Sequence, residues 1–238
     1  KRQVGRAGVL TDESTHTKKI IFHPLMMPRV VICDPELTLG MPAKITAGTG
    51  MDAFSHCLEA YCAPGFHPLA DGIAVEGMRL IVRALPRVVA DPNDLEARAW
   101  MMAAAAMGAT AFQKGLGGMH AIAHPIGALY DSHHGMTNAT LMPYVLVHNR
   151  SAIEERIRRV AAYLELPDVS FDGFLACVLD LRRLAGVPHT LAELGIDDAK
   201  AALITQMALL DPSAGGNPVP LDPIAVAKIF VNAHAGVL

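Results

Sequence analysis

Residues 45–61 read ITAGTGMDAFSHCLEAY and lie just after the point where the pattern of apolar residues changes from strand-like to helical. Before that point, short apolar runs alternate with prolines, which is typical of β-strands and turns. These strand-like runs are Gly8–Thr11, Lys19–Phe22 and Arg29–Cys33. From Pro42 onward the apolar residues recur with helical spacing. We therefore expect the tail of an α/β region in residues 1–41, followed by an all-helical domain in residues 42–238.

The helical part divides at its prolines and glycines, which end helices or open turns. Asp91-Pro92-Asn93-Asp94, for example, gives a stop followed by a helix cap. The fold class is predicted as mainly α, because alanine, leucine and methionine are abundant and aromatic residues make up only 5% of the chain. The predicted helices span residues 50–62, 69–89, 94–112, 118–130, 135–148, 151–164, 171–185, 197–208 and 222–235.

Composition excludes several classes of function. The formal net charge is −3 and both signs are interspersed, so we expect no nucleic-acid partner, which would require clustered Lys and Arg. The most apolar run, Ala99 to Phe112, is too short to cross a bilayer, and no membrane partner is expected. None of the four cysteines forms a CxxC pair, which argues against a thiolate zinc site and fits a cytoplasmic protein without a signal peptide.

The first candidate site lies inside the quoted stretch. Asp52 and His56 are four residues apart, so on a helix they share one face and can reach one metal ion. The pair alone is ambiguous, because an aspartate near a helix N-terminus is also favoured by the helix dipole.

A cluster of histidines strengthens the metal interpretation. Five of the eleven histidines lie between residues 120 and 148, and His120, His124 and His134 belong to strongly apolar segments. An unpaired imidazole is costly in such surroundings. A shared metal ion would satisfy several of them at once, so the pattern favours a metal site.

One motif points elsewhere and is rejected. Residues 48–53 match G-x-G-x-x-A, the dinucleotide-binding fingerprint. That motif must follow a buried strand, whereas residues 42–47 make a poor strand, and Asp52 would repel a pyrophosphate. Both this stretch and Gly115–Gly118 are interpreted as tight turns that open helices.

At this point the sequence resembles the iron-containing (group III) alcohol dehydrogenases. Residues 45–61 resemble the first signature of that family, and residues 115–138 resemble the second, with its His, His-Pro-hydrophobic-Gly and His-Gly elements. Residues 34–42 are also similar to the segment that precedes the family's helical domain. The resemblance runs from about Gly5 to the end of the chain.

The resemblance implies a set of metal ligands and a histidine near the substrate. In the family an aspartate and three histidines hold a divalent ion, and these fall on Asp52, His56, His120 and His134. The ion is expected to be Fe(II), with Zn(II) as the alternative. His124 falls on the further histidine near the substrate and is the candidate catalytic residue. The adjacent His133 has no counterpart and is taken as structural.

The resemblance also implies a nicotinamide cofactor and an oligomer. Lys18 and Leu37 fall on positions that touch NAD(P) in relatives, and the expected partners are a short-chain alcohol or aldehyde and further copies of the chain, most simply as a dimer. The intact family has a dehydroquinate synthase-like fold whose N-terminal domain cradles the pyrophosphate. Since most of that domain is missing here, residues 1–41 are interpreted as its remnant, and the chain alone is expected to turn over little alcohol.

The mechanism expected from the resemblance is hydride transfer between the alcohol and NAD(P), with the metal as Lewis acid and Asp52 alone offsetting its charge. Three alternatives stay open. The chain could belong to a glycerol dehydrogenase or dehydroquinate synthase-like enzyme, to a metal hydrolase, or to a non-catalytic remnant that only binds metal. A hydrolase would need a carboxylate base, and Glu59 lies on the wrong helical face from Asp52 and His56.

Overall fold

The computed structural model describes residues 7–13 and 17–238, without the side chains of most strand residues. A short antiparallel hairpin comes first, made of β1 (Ala7–Asp12) and β2 (Thr17–Phe22), with Ala7 opposite Phe22. Two short 3-10 turns, Pro24–Met26 and Pro35–Thr38, lead into the helices. The helices in the described part are α1 (Ala43–Cys62), α2 (Pro68–Ala90), α3 (Leu95–Ala111), α4 (Gly118–Tyr130), α5 (His134–Tyr163), α6 (Phe171–Leu184), α7 (Ala201–Leu210) and α8 (Pro223–Ala235).

Helix α1 forms the centre of the fold. It is buried along almost its whole length and packs against α2, α3 and α5. Met51, Phe54 and Leu58 are fully buried, and each contributes roughly 1.5–3 kcal/mol through burial. The outer helices surround this core: α4 packs between α5 and α7, while α6 and α8 lie against α5. The quoted stretch of sequence therefore becomes the most buried helix of the domain.

Side-chain caps explain where several helices begin. Asp94 accepts a hydrogen bond from the backbone N–H of Ala97, as the Asp91–Asp94 stop-and-cap pattern indicates. Ser170 and Asp222 cap α6 and α8 in the same way. His133 caps α5 through Nδ1, which accepts from the N–H of Met136. His133 thus has the structural role expected of it.

The predicted mainly α fold is confirmed, but three local predictions were wrong. Gly48 and Gly50 lie inside α1, which starts at residue 43, so they do not form a turn, although Gly118 does open α4. The predicted break between residues 135–148 and 151–164 is absent, and the two segments form the single helix α5. Asn149 lies inside this helix, and its buried side chain donates a hydrogen bond to Asn217. The division into domains at residue 42 stays a prediction.

The third wrong prediction is the strand at Arg29–Cys33. This segment is irregular, and Val30 and Ile32 are 76% and 83% exposed. A strand is stable only when its backbone groups pair with a neighbouring strand. In the described part of the chain, the only sheet is the hairpin of β1 and β2. The segment is apolar enough for a strand but has no sheet to join.

No helix in the described residues is both long and apolar enough to cross a membrane. The apolar run at Ala99–Phe112 instead lies in α3, whose Ala104 and Ala111 are buried in the core of the domain.

The close approach of α1 and α5 gives a first testable prediction. A Cβ added at Gly135, in the first turn of α5, would collide with the backbone carbonyl of Gly48 in α1. Gly135→Ala should therefore force the two helices apart and lower the free energy of unfolding by about 1–3 kcal/mol. Gly72→Ala is the matched control, because that helical glycine has open space around it.

The control should stabilise the chain by roughly 0.5–1 kcal/mol, since alanine restricts the unfolded chain more than glycine does. Urea denaturation of the two variants measures both effects. Equal shifts in the two variants would show that the helices do not meet closely at Gly135.

Candidate metal centre

The centre is built where the N-terminal ends of α4 and α5 reach the middle of α1. Asp52 and His56 lie one turn apart on α1, with His56 Nδ1 3.8 Å from Asp52 Oδ2. His120 lies in the first turn of α4, and His134 is the first residue of α5. The three helices thereby bring together four side chains, of which Asp52 and His134 lie 82 positions apart in the sequence.

The four side chains converge closely. Asp52 Oδ1 lies 3.4 Å from His134 Nε2 and 3.9 Å from His120 Nε2. Ligand atoms of Asp52, His120 and His134 all lie within 4.8 Å of one another. The ring of His56 joins them, with its centroid 4.7 Å from that of His120. Two ligands of one tetrahedral ion, each about 2.0–2.2 Å from it, are roughly 3.4 Å apart, so these separations fit a shared ion.

The chemistry of the cluster also suits a cation. A carboxylate and several imidazoles are the ligands that Fe(II) and Zn(II) accept. The side-chain amide of Asn138, one turn along α5 from His134, faces three of these groups. Its Nδ2 lies 3.0 Å from Asp52 Oδ1, 3.2 Å from His120 Nε2 and 3.1 Å from His134 Nε2. Oxygen and nitrogen lone pairs are thus directed to one point, where a positive charge is favoured.

Glu59 is a second carboxylate at the centre, which the sequence reasoning missed. It is buried near the end of α1, and its Oε2 lies 2.7 Å from His120 Nδ1. Its Oε1 accepts a hydrogen bond from the N–H of Met119 at 2.6 Å. Burial raises the pKa of Glu59 to about 7, although hydrogen bonds from the backbone of Gly117 and Met119 oppose the rise.

This contact changes the charge expected at the centre. The prediction that Glu59 lies on the wrong helical face was wrong, because Asp52, His56 and Glu59 are spaced i, i+4 and i+7 and share one face of α1. Glu59 reaches the Nδ1 side of His120, while Asp52 lies towards Nε2. Asp52 is therefore not the only carboxylate that can offset the charge of a cation here. The contact depends on α4, which lies 60 residues further along the chain, so spacing within α1 could not reveal it.

His124 belongs to a second polar pair beside the centre. Its Nδ1 lies 2.8 Å from Asp211 Oδ2, and its ring stacks on that of His134 with centroids 5.4 Å apart. Burial of Asp211 disfavours its charged form, but hydrogen bonds from His124 and Ser213 prevail and keep the pKa below its ordinary value. The side chain of His124 is 18% exposed, so water can reach it. Asp211 follows α7 and gave no recognisable signal in the sequence.

The two predicted cofactor contacts lie in the N-terminal segments. Lys18 belongs to β2, opposite Thr11, and its side chain lies outside the described part. Leu37 lies in the Pro35–Thr38 turn just before α1 and is 81% exposed. Their contact with a cofactor stays a prediction, as do the ligand roles of Asp52, His56, His120 and His134.

Comparison with known proteins shows which family the chain belongs to. The chain is 39% identical over 211 residues to the 4-hydroxybutyrate dehydrogenase of Cupriavidus necator, a match that covers 84% of this chain and 55% of the relative. The crystal structure of a 1,3-propanediol oxidoreductase superposes with a TM-score of 0.92 at 35% identity, covering 96% of this chain and 62% of that one.

A further structure is that of sulfoacetaldehyde reductase from Bifidobacterium kashiwanohense in complex with NAD+. Its TM-score is 0.88 at 28% identity, and the match covers 97% of this chain and 61% of that one. The chain thus spans between 55% and 62% of the length of these three proteins.

The sequence profile of the Fe-containing alcohol dehydrogenase family, C-terminal part, matches residues 46–234. That span includes the second signature stretch, the first one from Thr46 onward, and all four side chains that converge in the centre. The chain therefore belongs to the Fe-containing alcohol dehydrogenase family and corresponds to the C-terminal part of its members.

Proposed function

We propose that the whole protein to which this chain belongs is a metal-dependent alcohol dehydrogenase that transfers a hydride between a short-chain alcohol or aldehyde and NAD(P). The convergence of Asp52, His120 and His134 within 4.8 Å, in a chain of this family, is the observation that carries the proposal. The proposed substrate class is inferred from two relatives, whose names specify 4-hydroxybutyrate and 1,3-propanediol. A cytoplasmic location and a homo-oligomer remain predictions.

The proposed ligands are Asp52, His56, His120 and His134. Fe(II) is the favoured ion and Zn(II) the alternative, because imidazole and carboxylate ligands accept both. When bound, such an ion supplies Lewis-acid chemistry to the alcohol oxygen, and the nicotinamide supplies the site that accepts or returns the hydride. The residues of this chain hold these groups in place and handle the proton.

His124 is the residue proposed to move the proton. Asp211 occupies Nδ1, which leaves Nε2 as the position where a proton can be taken up or released. The ring lies against that of His134, next to the proposed ligands, and still reaches water. An imidazole in this position can pass the alcohol proton to solvent. Asp211 holds the ring in the orientation that this transfer requires.

The first prediction of the proposal concerns the ion itself. Adding Zn2+ at about 100 times its Kd should stabilise the chain by about 2.7 kcal/mol, because the folded site binds the ion and the unfolded chain hardly does. For a chain of this size the melting temperature should rise by roughly 5–11 °C. Asp52→Asn should abolish the rise, since it removes the charged oxygen at the centre of the cluster.

Glu155→Gln is the control, because this exposed glutamate forms ion pairs with Arg158 and Arg159 on its own helix, away from the centre. It should keep the full shift in differential scanning fluorimetry, and a chelator should reverse the shift. An Asp52→Asn variant that responds to Zn2+ as the unaltered chain does would refute this ligand assignment.

The second prediction concerns His124. In the whole protein, His124→Ala should lower kcat for NAD-linked oxidation of 1,3-propanediol by about 10²–10⁴-fold, the usual contribution of a positioned acid or base. The metal content measured by atomic emission should stay unchanged, since His124 is not one of the proposed ligands. His189→Ala, which alters an exposed histidine next to the C-terminal end of the chain, serves as control and should retain full activity.

If the His124→Ala variant instead loses the ion, His124 acts as a metal ligand and not as the proposed proton carrier. A whole protein that binds the ion but oxidises no alcohol, and instead cleaves phosphate or carboxylic esters, would replace the dehydrogenase with the hydrolase alternative.

A further inference from the structure

Glu59 is an acidic residue in a buried and electrostatically unfavourable position, so compensating interactions are expected around it. It lies one turn from the C-terminal end of α1, where the helix dipole disfavours an anion. Only 5% of the residue is exposed, and burial disfavours its charged form. A leucine or methionine would pack there without these costs. The hydrogen bonds of its two oxygens show what the carboxylate does at this position.

The space for the carboxylate is provided by glycine. Gly117, immediately before α4, has no side chain, and a Cβ built there would lie 3.1 Å from Glu59 Oε1. One oxygen of Glu59 thus receives the N–H of Met119 in the first turn of α4. The carboxylate is fixed by this backbone contact, and its second oxygen is held against His120 Nδ1.

The contact determines which nitrogen of His120 carries the proton. When Glu59 is ionised, its carboxylate oxygen 2.7 Å from Nδ1 can only accept, so Nδ1 carries the N–H and Nε2 keeps its lone pair. Nε2 is the nitrogen that faces Asp52 Oδ1 at 3.9 Å and the amide of Asn138 at 3.2 Å. His120 is fully buried, so no solvent is available to select this tautomer instead. The lone pair is therefore directed into the cluster of proposed ligands.

We propose that Glu59 is a positioning residue of the metal centre: it holds His120 in the Nδ1–H tautomer, with Nε2 directed at the proposed ion. This role rests on the metal centre of the proposed function. A ligating histidine that donates to a carboxylate is a stronger donor to the ion, and loss of such a carboxylate typically weakens metal binding by 10–100-fold.

Glu59→Gln separates this role from a merely structural one. Glutamine keeps an oxygen that can accept from the N–H of Met119, so the start of α4 should be preserved. Its NH2 group then faces His120 Nδ1, which favours the opposite tautomer and places a hydrogen on Nε2. The Kd for Co2+, measured by competition with a chromophoric chelator on this chain, should rise by about 10–100-fold.

Two further measurements accompany the Kd. The melting temperature of the metal-free variant should be unchanged or higher, because a buried carboxylate has been replaced by a neutral amide. The visible absorption of bound Co2+ should change, since it reports the number of imidazole ligands. A purely structural role would give the reverse: a lower melting temperature of the metal-free form, with the Kd and the spectrum unchanged.

Asp211→Asn is the matched control. It also removes a partly buried carboxylate from the Nδ1 of a histidine, but His124 is not among the proposed ligands. Its Kd for Co2+ should equal that of the unaltered chain. Equal weakening in both variants would attribute the effect to lost negative charge alone and overturn the positioning role.

The remaining outcomes separate this proposal from the proposed function. If the unaltered chain binds Co2+ and Glu59→Gln binds it equally well, Glu59 has no role in the centre, while the centre itself stands. If the unaltered chain binds no Co2+ at all, the metal centre is refuted, and the role of Glu59 is refuted with it.

Discussion

Two carboxylates on one buried helix impose the main constraint on this domain. Asp52 and Glu59 lie on α1, which packs against three other helices and is buried almost throughout. Acidic groups in such a place need hydrogen-bond donors or positive charge. His120 lies between the two carboxylates, within 2.7 Å of one and 3.9 Å of the other. The position of α4, which carries His120, is therefore dictated by polar contacts as well as by apolar packing.

The same constraint explains the glycines at these helix junctions. Without Gly135 and Gly48, α5 could not approach α1 closely enough to bring His134 within 3.4 Å of Asp52. Without Gly117, the carboxylate of Glu59 would lose its space next to α4. A glycine inside a helix, such as Gly48, usually lowers stability by roughly 0.5–1 kcal/mol relative to alanine. Here the lower stability is offset by the close approach of the helices, which brings His134 to Asp52 and Glu59 to α4.

Features determined by local sequence could be predicted, whereas features determined by distant contacts could not. The 3.6-residue spacing revealed most helices, and Asp94 revealed the start of α3, because periodicity and caps act within one or two turns. The cluster of Asp52, His56, His120 and His134 was suggested by residue type and family resemblance. Asp211 was missed because its histidine partner lies 87 residues away. Glu59 was dismissed because it was assigned to the wrong face of α1, and its contact with His120, 61 residues away, could not be read from local spacing. The strand expected at Arg29–Cys33 failed for a similar reason, since pairing depends on neighbours that a local pattern does not contain.

The segment that follows α7 supports α4 at two points, and this links the two polar pairs of the site. Asp211 binds His124 in the second turn of α4, while the side chain of Asn217 accepts from the N–H of Gly118 at 3.0 Å, at the start of the same helix. Asn217 also exchanges two hydrogen bonds with Asn149 of α5. The backbone N–H groups at the start of α4 thus receive oxygens from Asn217 and Glu59, in place of a cap from the preceding glycine. A helix held in this way by α1, α5 and the segment after α7 keeps His120 and His124 in a fixed relation, as their proposed roles of metal ligand and proton carrier require.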